Sequence, residues 1–212
     1  MNVRELLGQS PSSHILAAHL SSLSSHVSSA HVAIPEIKSY PDVVYFNYYS
    51  LGLSLLFIPI NGYNPSTVSR QDLTLLVLDG IDIYNNLCAD DSDAKTASRS
   101  PAYSSYPITP IVLTVSPEGK ERTPRASGLA VTRNMTGKEF VEALGEPDRK
   151  GGGSGPSSGS IGIWVEWTRD GLMVEFGGDD SRGPHAWEKG KDAPWRVISV
   201  FSYKGNQATV QC

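Results

Sequence analysis

Two segments of the sequence align with each other without a gap, and this internal match constrains the fold more than any other feature. Residues 45–57 read YFNYYSLGLSLLF and residues 164–176 read WVEWTRDGLMVEF, so the aromatic residues, the Gly-Leu step and the final Phe coincide. Each segment holds two short alternating runs joined at a glycine, which is the pattern of a β-hairpin. The match therefore predicts an internal duplication.

The glycine of each hairpin predicts a two-residue turn, at residues 51–52 in the first copy and 170–171 in the second. With these turns one face of each hairpin is apolar, because apolar side chains recur at every second residue. The same register places Glu166 directly opposite Glu175, on the face away from Trp167. Like charges that face each other oppose strand pairing unless a cation lies between them.

A third alternating strand follows each hairpin, over residues 75–84 and 195–203. The sequence TGKE at residues 136–139 predicts a capping box that begins a short helix before the second hairpin. Residues 3–8 resemble the helical residues 140–145 and predict a counterpart in the first copy. The predicted fold is α+β, with two tandem repeats of a helix and an antiparallel β-meander. Their strands can join into one continuous sheet with the helices on one face.

Two insertions distinguish the copies. Residues 10–32 are rich in Ser and His and carry a narrow stripe of apolar residues at helical spacing, which predicts a further helix. Residues 151–160 are mostly Gly and Ser and predict a flexible loop. We place the first repeat with its inserted helix in residues 1–94 and the second repeat with its Gly-rich loop in residues 95–212.

The second copy resembles a known class of small α+β modules. A short helix that ends in the sequence LGEP at residues 144–147 precedes a meander that contains residues 164–167 and 171–176. This arrangement resembles the SmpA/BamE and β-lactamase-inhibitor-protein class, whose inhibitor members are themselves tandem repeats. A fainter similarity is to the phagophore assembly factor family. The resemblance covers less than half of the chain and implies a sheet surface that binds another protein without catalysis.

Composition narrows the class of protein. The hydrophobic content of 39% is sufficient for a packed core, and the net charge of -4 provides no global attraction to nucleic acid. The longest apolar run, at residues 51–60, is too short to cross a bilayer, and the N-terminus has no pattern of a secretory signal. The cysteines Cys88 and Cys212 are far apart in sequence, which favours free thiols. We therefore expect a cytoplasmic or nuclear protein without a membrane span.

Four of the five histidines lie in the inserted segment, where their spacing argues against a metal site. His14, His19, His26 and His31 are separated by five, seven and five residues. A pair of helical ligands needs a spacing of three or four. We predict no metal site and no cofactor, and expect these histidines to be partly exposed beside the apolar stripe. A pH-sensitive helix surface is the alternative role for them.

Five aromatic residues are the candidates for a protein-binding surface. Tyr45, Tyr49 and Trp164 are predicted on the sheet face opposite the apolar one, and Trp187 and Trp195 bracket a polar loop. Tyr and Trp are the residue types that dominate binding hot spots. The alternative is that the helices and insertions cover these side chains and make them part of the core.

These observations predict a non-catalytic, intracellular protein-binding module that acts as a scaffold, adaptor or inhibitor. The alternative is a small enzyme with an acid/base site in the cleft between the repeats, formed by Glu166, Glu175 or a histidine. Against this alternative, an arginine such as Arg196 on the next strand would neutralise the two glutamates as an ordinary exposed pair.

Overall fold

The computed structural model of the chain describes residues 2–27, 33–67, 72–86, 102–118, 124–153, 162–183 and 185–203. These residues form an α+β fold with a large antiparallel sheet and a small two-stranded one. The α-helices are α1 (His14–His26), α2 (Gly137–Leu144) and α3 (Ala186–Lys189). The strands are β1 (Glu36–Ser39), β2 (Val44–Tyr48), β3 (Leu53–Pro59), β4 (Leu76–Tyr84), β5 (Ile111–Thr114), β6 (Gly128–Val131), β7 (Arg149–Gly151), β8 (Trp164–Trp167), β9 (Leu172–Phe176) and β10 (Trp195–Phe201).

The large sheet is continuous across the whole fold. Its eight strands are ordered β1-β2-β3-β4-β10-β9-β8-β7, and the small sheet pairs β5 with β6. The two predicted third strands, β4 and β10, pair antiparallel at the centre, with Ile83 opposite Ile198. The α+β class and the continuous antiparallel sheet that joins the two meanders are therefore confirmed, whereas the duplication stays a prediction.

The two hairpins turn in the same way, and the turn is longer than predicted. Residues 49–51 and 168–170 each form one turn of 3-10 helix, and each is followed by a left-handed glycine, Gly52 at φ 57° and Gly171 at φ 52°. The connection thus has four residues rather than two, which shifts the register by two positions. A shift of two residues keeps every side chain on its predicted face.

One face of the sheet carries the core. Leu55, Ile83, Val174 and other inward side chains of the sheet are fully buried, and they form one hydrophobic cluster with residues of α1, α2 and the small sheet. Phe176 lies under α2, with its ring 6.3 Å from that of Phe140. The two halves of the chain therefore share a core. We call the opposite side, where the side chains point away from this cluster, the outer face.

Local sequence signals explain how the helices begin. Thr136 and Glu139 form the predicted capping box at α2, with both reciprocal hydrogen bonds present. Ser13 caps α1 through its side chain, which accepts a hydrogen bond from the backbone N–H of Ile15. The predicted N-terminal helix is a single turn of 3-10 helix, Val3–Leu6.

Several predictions concern residues outside the described ranges. These are Cys88, Cys212, His31 and residues 154–160 of the predicted Gly-rich loop. Gly151, the first residue of that predicted loop, instead ends β7 and pairs with Trp164. Within the described ranges, no helix combines the length and hydrophobicity needed to cross a bilayer.

Candidate functional site

A row of polar side chains crosses the outer face at the centre of the sheet. Asn47 of β2 lies opposite Ser54 of β3, which lies opposite Asp82 of β4, which in turn lies opposite Ser199 of β10. Residues directly opposite each other in antiparallel strands have neighbouring side chains on the same face. The row therefore brings residues from both halves of the chain together at the β4–β10 junction.

Asp82 is the one acidic residue of this row. The Ser199 hydroxyl donates a 2.6 Å hydrogen bond to Asp82 Oδ1. The residue keeps partial contact with solvent, but the surrounding protein atoms remove most of the water from its carboxyl group. This desolvation raises the pKa of Asp82, against the smaller opposite effect of the Ser199 hydrogen bond. Among the described residues, no lysine or arginine forms an ion pair with Asp82.

Tyr103 comes from the segment between the two halves and packs on the same face. Its hydroxyl donates a 2.8 Å hydrogen bond to Asn47 Oδ1, which also accepts a 2.9 Å hydrogen bond from Ser54 Oγ. Its ring stacks on that of Tyr84, with centroids 3.7 Å apart and planes within 2°. Tyr103 is thereby fixed beside the polar row through both its ring and its hydroxyl.

These groups enclose a cleft of about 590 Å³, which we call the Asp82 cleft. Its volume lies within the range of roughly 300–1,000 Å³ that is usual for ligand sites. Asn47 and Ser54 are buried within it, whereas Tyr40 and Asp42 are exposed at its edge. Its remaining lining comes from Lys38, Pro41, Val43, Tyr45, Asp82, Tyr84 and Tyr103.

The negative charge of Asp82 affects the pKa of three tyrosines that line the cleft. Desolvation raises the pKa of Tyr45, Tyr84 and Tyr103, and in each case the charge of Asp82 raises it further. Asp42 adds to the effect on Tyr45. The interior of the cleft therefore disfavours additional negative charge. Its chemistry suits a cation or a hydrogen-bond donor.

A second groove lies on the other side of the sheet, between α2 and α3. It encloses about 320 Å³ and is lined mainly by apolar groups, including Val141, Val165 and Trp187. Trp187 is 41% exposed, and the Lys150 ammonium group lies 5.6 Å from the centroid of its ring. This groove and the Asp82 cleft are lined by different residues and are separate sites.

The five predicted aromatic candidates do not form one surface. Tyr45 lines the Asp82 cleft, and Tyr49 lies next to it, with its ring 4.6 Å from that of Tyr103 and its hydroxyl donating to Glu36. Trp164 lies on the outer face in the other half of the sheet, and Trp187 borders the second groove.

Trp195 is buried, in contrast to the prediction of a binding role for it. It is only 2% exposed, and its Nε1–H donates a 2.8 Å hydrogen bond to the carbonyl oxygen of Thr132. The expectation that Trp195 lies on an exposed binding surface is therefore wrong. Its indole ring is part of the core and its polar atom is satisfied internally.

The predicted opposition of Glu166 and Glu175 is also wrong. The four-residue turn places Glu166 opposite Met173 and Glu175 opposite Trp164, so the two carboxylates are diagonal neighbours on the outer face. Arg149 Nη1 lies 3.2 Å from Glu166 Oε2, and Arg196 Nη1 lies 3.7 Å from Glu175 Oε1. Desolvation raises the pKa of Glu175, and the charge of Arg196 opposes this effect. Each glutamate thus has its own arginine partner, and Arg196 lies where it was expected to neutralise Glu175. Glu166 is only 7% exposed, so the expectation of an exposed pair is wrong for this residue.

The histidines of α1 differ in their surroundings. His26 is exposed, but His19 is only 5% exposed, so the expectation of partial exposure is wrong for His19. His19 Nε2 lies 3.0 Å from the Tyr106 hydroxyl, and burial lowers the pKa of His19. No group of three or more His, Cys, Asp or Glu side chains is arranged for a metal ion in the part of the chain that the structure describes.

Sequence reasoning missed Asp82, Ser199, Tyr84 and Tyr103. One signal was available, because the alternation in β4 places Asp82 and Tyr84 on the face opposite Ile81 and Ile83. A carboxyl group in the middle of a strongly apolar strand is unusual and points to a special role. The contribution of Ser199 could not be read in this way, because it depends on pairing across 117 positions of sequence.

No protein-family model, no curated protein and no solved structure matches this chain.

Proposed function

We propose that this chain is a non-catalytic protein-binding module that acts inside the cell as a scaffold, adaptor or inhibitor. The partner binds to the outer face of the sheet, with the Asp82 cleft at the centre of the contact. One observation carries the proposal: tyrosines, amide and hydroxyl groups surround a carboxyl group that has no ion-pair partner among the described residues. Such a cleft on a sheet of eight paired strands is suited to recognition.

The side chains of the cleft have the properties of binding hot spots. Tyr45, Tyr84 and Tyr103 are half-buried, so each combines a packed apolar ring with access to solvent. Tyrosine contributes a large contact area and loses little conformational entropy on binding, because it has only two side-chain torsions. The hydrogen bond from Tyr103 to Asn47 further pre-organises the site.

The test compares two tyrosine variants in a purified complex. The full-length protein is used to capture a partner from a lysate of its source cells, and the partner is then purified and titrated calorimetrically. We expect a stoichiometric complex that Tyr45→Ala weakens by at least about tenfold. Tyr203→Ala is the matched control, since Tyr203 is 51% exposed and lies outside the lining of the cleft.

Two outcomes would contradict the proposal. The first is that no captured protein binds the purified chain stoichiometrically. The second is a complex that tolerates Tyr45→Ala but is lost with Trp187→Ala, which would assign binding to the groove between α2 and α3.

A small enzyme is the second candidate function. For this candidate, Asp82 is a better acid/base residue than Glu166 or Glu175, which the sequence alone suggested. Asp82 lies at the junction of the two halves, and desolvation raises its pKa, which is the direction of shift that a general acid requires. A broad screen for hydrolase activity tests this candidate. Turnover that disappears in Asp82→Asn would support an enzyme, whereas turnover that survives in this variant would not come from Asp82.

A further inference from the structure

Among the ion pairs of the described residues none involves Asp82, in contrast to Glu166 and Glu175 on the same face. Glu166 and Glu175 each lie beside an arginine. Lys38 lines the Asp82 cleft, but its ammonium group is 3.7 Å from the carboxylate of Glu36. Among the described residues, Asp82 has only the hydroxyl of Ser199 as a hydrogen-bond partner. A desolvated carboxylate without a counter-charge is costly to ionise, and a cation supplied from outside would remove that cost.

We infer that the Asp82 cleft receives one lysine or arginine side chain of the protein partner. This inference rests on the proposed function and names the group that the cleft recognises. Charge complementarity supports it, because the carboxyl groups of Asp82 and Asp42 are both in the lining and Asp42 is exposed at the edge. The cleft of about 590 Å³ also has room for residues that flank the cationic one.

The aromatic lining supports the same class of ligand. Tyrosine rings attract ammonium and guanidinium groups through their negative faces, and the attraction is strongest where water is excluded. Four tyrosines, Tyr40, Tyr45, Tyr84 and Tyr103, line the cleft. An anionic ligand would instead meet the charge of Asp82 without a free lysine or arginine of the described residues to offset it.

The probe for this inference is a single blocked amino acid. The full-length protein is titrated with Nα-acetyl-lysine methylamide and Nα-acetyl-arginine methylamide, and the amide signals of Tyr84 and Ser199 are followed by NMR. The uncharged controls are the corresponding norleucine and citrulline compounds, which have similar shapes. We expect at least one cationic probe to bind about tenfold more tightly than its uncharged counterpart.

Variants locate the binding. Asp82→Asn keeps the size of the side chain and is expected to lower the affinity for the cationic probe by at least about tenfold. Glu188→Gln removes the same charge from an exposed position on α3 and is expected to leave binding unchanged. If Asp82→Asn does not fold, Asp42→Asn is measured in its place. We expect this variant to lower the affinity for the cationic probe by about two- to fivefold.

Three results would overturn the inference: equal binding of charged and uncharged probes, full affinity in Asp82→Asn, or binding of spermidine while neither blocked amino acid binds. The last would assign the cleft to a free polyamine. The experiments distinguish a cleft that does not recognise a cationic side chain from a protein that does not bind a partner. A partner complex that is lost with Tyr45→Ala but unaffected by Asp82→Asn leaves protein binding standing and removes only the cationic anchor.

Discussion

Arg125 Nη2 lies 2.5 Å from Asp170 Oδ2 in an ion pair whose side chains are only 8% and 2% exposed. The same carboxylate accepts a 2.8 Å hydrogen bond from the backbone N–H of Ser116, and Arg125 Nε–H donates to the Ser116 carbonyl oxygen at 2.9 Å. Asp170 lies in the turn between β8 and β9. The pair therefore fastens the second hairpin to the segment that follows β5.

We expect Asp170→Ala to reduce the free energy of unfolding by about 3–5 kcal/mol, because it leaves the Arg125 guanidinium buried without a counter-charge. Urea denaturation followed by circular dichroism measures the change. Glu142→Gln is the control, since it breaks the exposed pair with Lys138 and is expected to cost about 0.3–0.5 kcal/mol. Similar losses in the two variants would show that the Arg125–Asp170 pair contributes no more than a surface pair.

The raised pKa of Asp82 predicts a pH dependence of stability with a defined sign. In the unfolded chain the carboxyl group of Asp82 has a pKa of about 3.9, and in the folded protein its pKa is higher. Between these two pKa values the folded state therefore binds more protons than the unfolded state. The free energy of unfolding contributed by Asp82 therefore falls as the pH rises through this window. Asp82→Asn removes the effect, and we expect its stability relative to wild type to increase with pH. Urea titrations from about pH 4 to about pH 8 test this, and a constant difference between the two proteins would contradict it.

His19 predicts a pH dependence of the opposite sign. Burial lowers its pKa in the folded protein, whereas histidine has a pKa of about 6.5 in the unfolded chain. The unfolded state therefore binds more protons below that pH, and stability falls as the pH drops from about 6.5 toward the lower, folded pKa. In His19→Gln this acid-induced loss is expected to shrink. Parallel stability curves for the two proteins below about pH 6.5 would show that His19 does not contribute to the loss.

The faces of the hairpins could be predicted from the sequence, but their registers could not. Alternation with a period of two places Phe57 and Phe176 on the buried face whichever turn joins the strands. A two-residue turn and a four-residue turn that contain the same glycine differ in register by two positions. They therefore bury the same residues, and only the partners of Glu166 and Glu175 change.

The Asp82 cleft could not be predicted because its parts are distant in sequence. Ser54, Asp82 and Ser199 meet only after β3, β4 and β10 have paired, and Tyr103 reaches them from the segment between the two halves. Local patterns specify the face on which each side chain lies. They carry no information about which strand becomes its neighbour across the β4–β10 junction.

Because the two halves share a core, a substitution that destabilises one half is expected to destabilise the other half as well. Phe57 is fully buried, and its replacement by Ala is expected to cost about 3–5 kcal/mol through lost burial and a residual cavity. Because the sheet and the hydrophobic cluster are continuous, we expect a single thermal transition and weaker hydrogen-exchange protection of β9 amides as well. Leu56→Ala, at the next position on the outer face, is the control and is expected to have a smaller effect. Two separate transitions in Phe57→Ala would indicate halves that unfold independently.

Substitution of the left-handed glycine after the 3-10 turn of the second hairpin is expected to lower the stability of the fold. Gly171 has φ 52°, and a Cβ atom at this position would lie 2.0 Å from the carbonyl oxygen of Phe201. Gly171→Ala therefore adds a clash with backbone to the cost of the left-handed conformation, and we expect it to lose more than about 3 kcal/mol of stability. Gly178 also has a positive φ, of 79°, but a Cβ atom there would meet nothing within 4 Å. Gly178→Ala is thus the matched control, with an expected loss of about 1–2 kcal/mol from backbone strain alone. Equal losses in the two variants, measured by urea denaturation, would show that β10 moves away from the turn at little cost.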